Sequence, residues 1–470
     1  MTKRMMHNDL TRSKPTKSIL IFTVPILIGN LFQQLYSMVD TIIVGRTVSL
    51  QALAAVGSTG AICFLVIGFV QGVTSGFAVI TAQFYGARDE ENVKRSVAMS
   101  MMLCLATTLI VTALSVATTM PLLRLLQTPQ DIIQDAYDYI VIIYWGIFAS
   151  VLYNISSNLV RAIGDSNTPL YFLILASVLN IGLDLLFILV FHMGVAGAGW
   201  ATVISQAVSG VACWVYALVK YKTLRVNRRH FAWSWRFAMR HLRVGLPMAF
   251  QYSITAIGIM VVQWAVNRLG SSVVAAYTAA SKVDMLVNQS LAALGIAMAT
   301  YCAQNYGARM FRRIRVGVSR AAIISIVMSL VGLGLILALQ DPLTVLFVGK
   351  EDFAAVRSDV HLYLYINAGM YILLGLLYVY RNSVQGLGHS TLAMFAGAIE
   401  LAMRVIAAFA LAAWLGYPGI CAASPVAWLG ADVFLLIAYA CIVRRLPRED
   451  NPLYERDMPA ADDVAHRATP

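Results

Sequence analysis

Hydrophobic positions along this chain come in long, nearly unbroken runs, unlike the alternation of strands or the single apolar stripe of a soluble helix. Charge, glycine and proline divide it into twelve runs, with approximate cores at 19–45, 52–83, 94–118, 133–161, 168–192, 196–219, 241–267, 273–303, 316–340, 357–383, 391–415 and 420–443. About 20 apolar residues in a helix cross the hydrocarbon of a bilayer. Each run is therefore predicted to be a membrane-crossing helix, and those longer than the minimum are expected to tilt, kink or protrude.

The punctuation between the runs repeats. A-Q-F-Y-G-A-R (Ala82 to Arg88), near the end of the second run, is answered by A-Q-N-Y-G-A-R (Ala303 to Arg309) near the end of the eighth. V-R-A-I-G-D-S (Val160 to Ser166), after the fourth, is answered by V-Q-G-L-G-H-S (Val384 to Ser390) after the tenth. Pro25 matches Pro247 and Arg46 matches Arg268, and the offset stays between 221 and 224 residues throughout. Four matches in register define a duplicated six-helix unit. An even number of spans returns the chain to the same side, so the copies run parallel. The fold class predicted is an all-α integral membrane protein, twelve transmembrane helices in two pseudo-symmetric six-helix bundles. Its parts are an N-terminal segment (1–18), an N-lobe (19–219), a basic linker (220–240), a C-lobe (241–445) and a polar tail expected to be disordered (446–470). Repeats of this kind are a transporter signature, with the substrate site at their interface.

Composition agrees: 59% of residues are hydrophobic and 12% charged, against roughly 25% charged in soluble domains. A net charge of +12 does not indicate nucleic acid, because the basic residues fall in short loops on alternate sides of the runs. With the amino terminus inside, the inner segments hold 28 of the 35 Lys and Arg, and the outer loops hold five (Arg46, Arg124, Arg268, Lys350, Arg357). That bias places both termini in the cytoplasm. The basic opening leads straight into the first run, as in an uncleaved cytoplasmic end. The six cysteines all lie inside hydrophobic runs without metal-ligand spacing, which reads as buried packing.

Asp40 stands out, since a carboxylate in a membrane helix is expensive and calls for partners or a role. Gln33, Gln34 and Tyr36 share its segment, with Tyr36 one turn before it on the same face. Two readings stay open: a proton or cation carrier, or an interfacial carboxylate near the outer helix end. Pro25 removes a helical hydrogen bond and is expected to kink the first helix. Asn180 and Asp184 are one turn apart and share a face, with Gly182 between them suited to close backbone approach.

The run L-F-Q-Q-L-Y-S-M-V-D-T-I-I-V-G-R, followed by A-L-A-A-V-G, A-Q-F-Y-G-A-R and R-A-I-G-D, resembles the bacterial multidrug and toxic compound extrusion (MATE) transporters. The resemblance runs from about Ile19 to Arg445 and implies two lobes around a central cavity. It implies export of organic cations and amphipathic compounds against inward H⁺ or Na⁺, across a bacterial cytoplasmic membrane. The DNA-damage-inducible branch couples through an N-lobe cluster, for which this chain offers Asp40, Asn180, Asp184 and Thr202 at the matching places. Another branch uses carboxylates on the seventh and tenth helices. Those runs are read as offering none, only Gln251 and Gln263, then Asn367 and Asn382. Two carboxylates brought together in a low-dielectric lobe do not readily both ionise, so Asp40 and Asp184 are expected to titrate as a unit. The same oxygens suit Na⁺, so the coupling ion stays open between H⁺ and Na⁺. No other metal and no cofactor is expected.

Gln34, Tyr36, Tyr139 and Asn154 are candidates for the N-lobe cavity, with aromatic faces for cationic ligands. In the C-lobe, Glu400 and Arg404 lie one turn apart and are expected to pair. Lys282 and Asp284 face different ways and need other partners; the four are read as a polar network, structural or ligand-binding. Asp432 has no assigned role. A flippase for a lipid-linked precursor is the alternative function, one that a cavity lined with arginines would favour. Only Arg404 is read as deep within a span. An enzyme is not expected: His192, His361 and His389 lie at span edges, with no H-E-x-x-H or G-x-S-x-G pattern. The expected partners are small drug-like molecules and the bilayer, with no nucleic acid, and the protein is expected to be a monomer.

Overall fold

The computed structural model describes residues 9–48, 50–125, 128–348 and 353–450. Most of the tail expected to be disordered, and residues 1–8 of the N-terminal segment, lie outside them. The described chain forms fourteen α-helices: α1 (Pro15–Thr47), α2 (Leu50–Gly86), α3 (Glu90–Leu125), α4 (Ile133–Trp145), α5 (Ile147–Ala162), α6 (Asn167–Leu185) and α7 (Gly194–Lys220), then α8 (Trp235–Asn267), α9 (Ser271–Gly307), α10 (Phe311–Val348), α11 (Phe353–Ala368), α12 (Tyr371–Gly386), α13 (Ser390–Leu415) and α14 (Tyr417–Arg445). Ten are long and apolar enough to cross a membrane alone. The pairs α4–α5 and α11–α12 each supply one further span, bent by 46° and 47°. Twelve spans result, one for each hydrophobic run.

The bends fall at Gly146 and near Gly369, which correspond in the two copies. A Cβ on Gly146 would lie 2.1 Å from the Val203 side chain of α7, so the break coincides with a close helix crossing. Pro25 does not interrupt α1, which stays helical across it. Gly182 does not serve a close approach either, because a Cβ there would meet nothing within 4 Å. Cys63 is half-buried and Cys441 exposed, so interior packing holds for only four of the six cysteines. The tenth span does carry a carboxylate: Asp359, in α11, lies beside Tyr417 and Cys421.

Helices α1 and α8 straddle the lobes. Ile19, Phe22 and Ile26 of α1 pack with Leu294, Met298 and Ile314 of the C-lobe, whereas its later part packs on α6 and α7. Reciprocally, Val244 and Met248 of α8 pack with Val79, Ile80 and Ala82 of α2. His241 of α8 bonds Ser96 of α3 at 2.8 Å, and Ser96 bonds Thr81 of α2 at 2.8 Å. Pro25 and Pro247 occupy equivalent places in these two straddling helices.

The repeated motifs build the seam between the lobes. Each of the four ends a helix with the same cap, in which the N–H of C″ bonds the carbonyl five residues back and that of C′ the carbonyl three back. The pairs are Asp89 N–H to Phe84 O and Arg88 N–H to Tyr85 O, and their equivalents at Met310, Asp165 and His389. Arg88 (φ 58°), Arg309 (φ 56°), Gly164 (φ 92°) and Gly388 (φ 87°) hold the left-handed position. These caps bring two glutamines across the lobes. Gln83 Nε2 donates to Gly386 O at 3.1 Å, and Gln304 Nε2 donates to Ala162 O at 2.8 Å. Gln83 corresponds to Gln304 and Ala162 to Gly386, so the two bonds obey the pseudo-twofold. Beside them the backbones touch. A Cβ on Gly86 would lie 1.9 Å from Gln304 O, and one on Gly307 1.8 Å from Gln83 O.

Glycines along α2 measure the shape of the cleft. A Cβ on Gly57 or Gly60 would meet nothing within 4 Å; on Gly68 it would touch Tyr252 at 3.5 Å; on Gly72 it would collide with the Ala249 backbone at 2.5 Å. The lobes therefore diverge at one membrane face and seal at the other, the sealed end being the side of the arginine-rich loops. A methyl group at Gly307 is expected to hold the seam apart and lower reconstituted dye efflux about tenfold or more, since ~1.4 kcal/mol against the sealed state suffices. Gly57→Ala, which meets no neighbour, should leave efflux unchanged; equal effects from both would rule out a specific seam.

Asp165, in the loop after α5, ties this end together. It accepts from the backbone N–H groups of Asn167 (2.9 Å) and Thr168 (3.0 Å), from Thr168 Oγ1 (2.6 Å), from Lys220 Nζ (3.3 Å) and from Tyr221 OH. Burial opposes ionisation of the carboxyl, but the Thr168 and Tyr221 bonds outweigh it and hold its pKa below the ordinary value. A depressed folded-state pKa stabilises above the unfolded value near ~3.9, and that contribution is lost as pH falls through the folded value. Asp165→Asn is expected to cost ~2 kcal/mol at pH 7, with the gap in melting temperature closing at strongly acid pH.

Candidate ion-coupling site

Four polar residues converge between α1, α6 and α7. Asp184 is 0% exposed, Asn180 1% and Asp40 9%. Asp40 and Asp184 lie close enough for their carboxyls to interact electrostatically. Asn180 Nδ2 approaches Thr202 Oγ1 at 3.5 Å, which leaves Asn180 Oδ1 free. Among the described residues, no hydrogen-bond partner reaches Asp40 Oδ1, Asn180 Oδ1 or either oxygen of Asp184. The site is thus a set of buried acceptors short of donors. A buried carboxylate in that condition is strongly disfavoured unless it holds a proton or a cation. Just beyond Asp184, α6 passes into a π-turn at Leu186–Val190, a feature often found at functional sites.

Tyr36 and Tyr139 stand within electrostatic reach of both carboxyls. Tyr36 also reaches Gln33 and Gln206, and Gln206 accepts from Ser150. Asn154 does not join the cluster, because its Nδ2 donates to Ser150 O of its own helix at 2.8 Å. Gln34 is buried, but six residues from Asp40 it lies on another face of α1. Gln206 carried no signal in the sequence beyond being polar within a span.

The C-lobe resolves its charges differently. Glu400 accepts from Arg404 Nη2 at 2.6 Å, as expected, and also from Arg381, which the one-turn spacing did not reveal. Arg381 is buried near the end of α12, so Arg404 is not the only arginine inside a span. Arg161, at the end of α5, is also drawn inward, with Nη1 at 3.4 Å from Asn158 Oδ1. Asp432, buried on α14 without a hydrogen-bond partner, lies near Arg381 and Glu400. Two arginines and two carboxyls thus share one buried cluster. Asp284 accepts from Tyr371 OH at 2.7 Å. Lys282 is exposed and has no ion-pair partner among the described residues, so it stands outside any C-lobe network. No group of three or more His, Cys, Asp or Glu fit for a metal occurs among the described residues.

The MatE family model matches residues 25–186 and 247–410, one segment in each lobe. The chain belongs to the MatE family. The probable multidrug resistance protein YoeA of Bacillus subtilis is 28% identical over 436 residues, covering 88% of this chain and 93% of that protein. YpnP, a probable multidrug resistance protein of the same organism, is 30% identical over 64% of this chain and 67% of its own length. Among solved structures, the outward-facing conformation of a multidrug resistance MATE family transporter superposes with a TM-score of 0.88 at 23% identity, over 96% of this chain and 100% of that one. This MatE protein is a multi-pass membrane protein of a transporter family, not an enzyme.

Within the cluster of this MatE protein, Glu400→Gln alone leaves two buried guanidinium groups facing Asp432 alone, a loss of roughly 3 to 5 kcal/mol. Removing Arg404 as well (Glu400→Gln with Arg404→Met) leaves Arg381 against Asp432, and is expected to melt higher than the single variant in detergent. A double variant that melts lower would refute the charge-balance account.

Proposed function

We propose that this protein is a secondary active antiporter that exports organic cations and amphipathic compounds in exchange for H⁺ or Na⁺, by alternating access between its lobes. The observation that carries the proposal is the set of buried, donor-poor oxygens at Asp40, Asn180 and Asp184. With Thr202 they match the N-lobe coupling set of the DNA-damage-inducible branch, to which we assign the chain. The names of the related proteins support a multidrug role. The bias of basic residues supports a cytoplasmic-membrane location with both termini inside, which makes the open end of the cleft the outward one.

In this state an ion from outside reaches the cleft and is taken by the Asp40–Asp184 pair, with Asn180 Oδ1 and Thr202 Oγ1 as further oxygens. Neutralising the pair removes its attraction for a cationic drug held against Tyr36 and Tyr139. Asp40 sits on the part of α1 packed against the N-lobe, whereas the beginning of the same helix is anchored in the C-lobe core. A change at Asp40 is thereby communicated to the relative position of the lobes, with Pro25 a weak point between the two attachments. The flippase reading gains little from the extra arginines, because Arg381 and Arg404 are engaged by Glu400.

Ion and drug compete through one linkage, so each weakens the other equally. Binding of a cationic dye to the purified protein should weaken as pH falls from 9 to 5, and Asp184→Asn should shift or abolish that dependence. Asp40→Asn should end efflux from proteoliposomes under an imposed pH gradient while leaving expression intact. Full efflux by Asp40→Asn, or an unchanged dye profile in Asp184→Asn, would refute the site. Dye binding flat in pH but steep in Na⁺ would identify sodium as the ion at the same oxygens.

A further inference from the structure

At the sealed end of the seam lies a groove of about 1230 Å³ whose walls come from both lobes. Arg95 lines it from α3, and Arg236, Arg240 and Arg243 line it from the start of α8. No aspartate or glutamate does. Preference for basic residues on one side of the membrane accounts for arginines in loops, but not for four of them around one cavity without a counter-charge.

Two of the guanidinium groups are held in place. Arg240 lies over the Phe84 ring at 4.5 Å and Arg95 over the Phe237 ring at 4.9 Å. The rings themselves stack at 5.7 Å, 16° from parallel, giving an Arg–Phe–Phe–Arg pile that joins α2 and α3 to α8. A guanidinium stacked on a ring keeps its in-plane N–H groups free for bidentate contact with phosphate. Arg95, Arg236 and Arg243 have no ion-pair partner among the described residues. Arg240 Nη2 lies 3.4 Å from Gln83 Oε1, and Gln83 is the residue that bonds Gly386 across the seam. Trp235 (63% exposed) lines the groove, with the Trp233 ring (55% exposed) 6.2 Å from it, and such amphipathic rings settle at a headgroup interface.

We propose that this groove binds the phosphate of an anionic phospholipid from the adjacent leaflet through Arg95, Arg240 and Arg243, and that the bound lipid favours the sealed seam. A lipid source is favoured over a free anion because the lining is partly aromatic, with Phe84, Phe237, Tyr306 and the exposed Trp235 beside the arginines. Parting the lobes carries Arg95, Arg240 and Phe84 away from Tyr306, Gly388 and His389 on the other wall, so a lipid held by the arginines and packed against that wall binds the sealed state more tightly and shifts the population toward it. Desolvation holds the pKa of His389 below its ordinary value, so at neutral pH the arginines alone supply the charge.

The test is binding to the purified full-length protein in neutral detergent, with dioleoylphosphatidylglycerol as the probe and dioleoylphosphatidylcholine and inorganic phosphate as comparison arms. Phosphatidylglycerol is expected to raise the melting temperature and the other two to leave it unchanged. R95Q combined with R243Q should weaken phosphatidylglycerol binding at least about tenfold, from the loss of charge-assisted hydrogen bonds. R444Q combined with R445Q, basic positions away from the groove, should keep it. If the first double variant fails to fold, R243Q alone, at an exposed side chain, should still reduce binding several-fold. Equal stabilisation by phosphatidylcholine or by inorganic phosphate, or equal loss in the R444Q/R445Q protein, overturns the proposal. None of these readouts depends on transport, so failure here is separable from failure of the antiport reading.

Discussion

The contact on which this structure turns is the reciprocal crossing of α2 and α9, where Gly86 rests on the backbone of Gln304 and Gly307 on that of Gln83. Backbone this close excludes any side chain, and the two glutamines then span the seam to the opposite lobe's helix ends. Because both sides are built from the same duplicated motif, each lobe is donor and acceptor at once. The cost of opening is therefore shared evenly: two hydrogen bonds and a strip of close-packed backbone, with no buried charge to strand. A seam held this way can be strong enough to populate and weak enough to break.

The two lobes meet the same constraint in opposite ways. Polar groups inside a bilayer must find partners within the protein. The C-lobe does so for Glu400, held between Arg381 and Arg404, and for Asp284 on Tyr371, while Asp432 beside the arginines keeps both oxygens without a hydrogen-bond partner. The N-lobe leaves Asp40 and Asp184 close together with acceptors to spare. An ion-paired glutamate lends rigidity, whereas two neighbouring carboxyls without donors leave room for a proton or a cation. The straddling helix α1 links the lobes, carrying Asp40 on one lobe while its beginning is packed into the other.

Much of this was written in the sequence. Bilayer thickness converts hydrophobic length directly into spans, so the twelve crossings and the pairing of the two halves followed from run lengths and from motifs matched at one offset. Asp40, Asp184 and Asn180 were legible because a carboxylate in lipid is conspicuous and a one-turn spacing shares a face. The cavity candidates were less so. Tyr36 and Tyr139 do border the carboxyls, but Asn154 turns to its own helix and Lys282 faces outward, since polarity alone does not say which way a side chain points.

The chain alone therefore determined what is local or periodic: helices, repeats, the side of the basic loops, and which charges needed an explanation. Only the tertiary structure decided which residues meet across 140 to 300 positions of sequence: Gln83 with Gly386, Gln304 with Ala162, Arg240 with Gln83. It also put Arg381 beside Glu400 in the C-lobe core and placed the beginnings of α1 and α8 in the opposite lobe. The physical reason is that helix-to-helix contacts in lipid are chosen by the fit of small residues and by the pairing of scarce polar groups. Neither leaves a periodic trace along the chain.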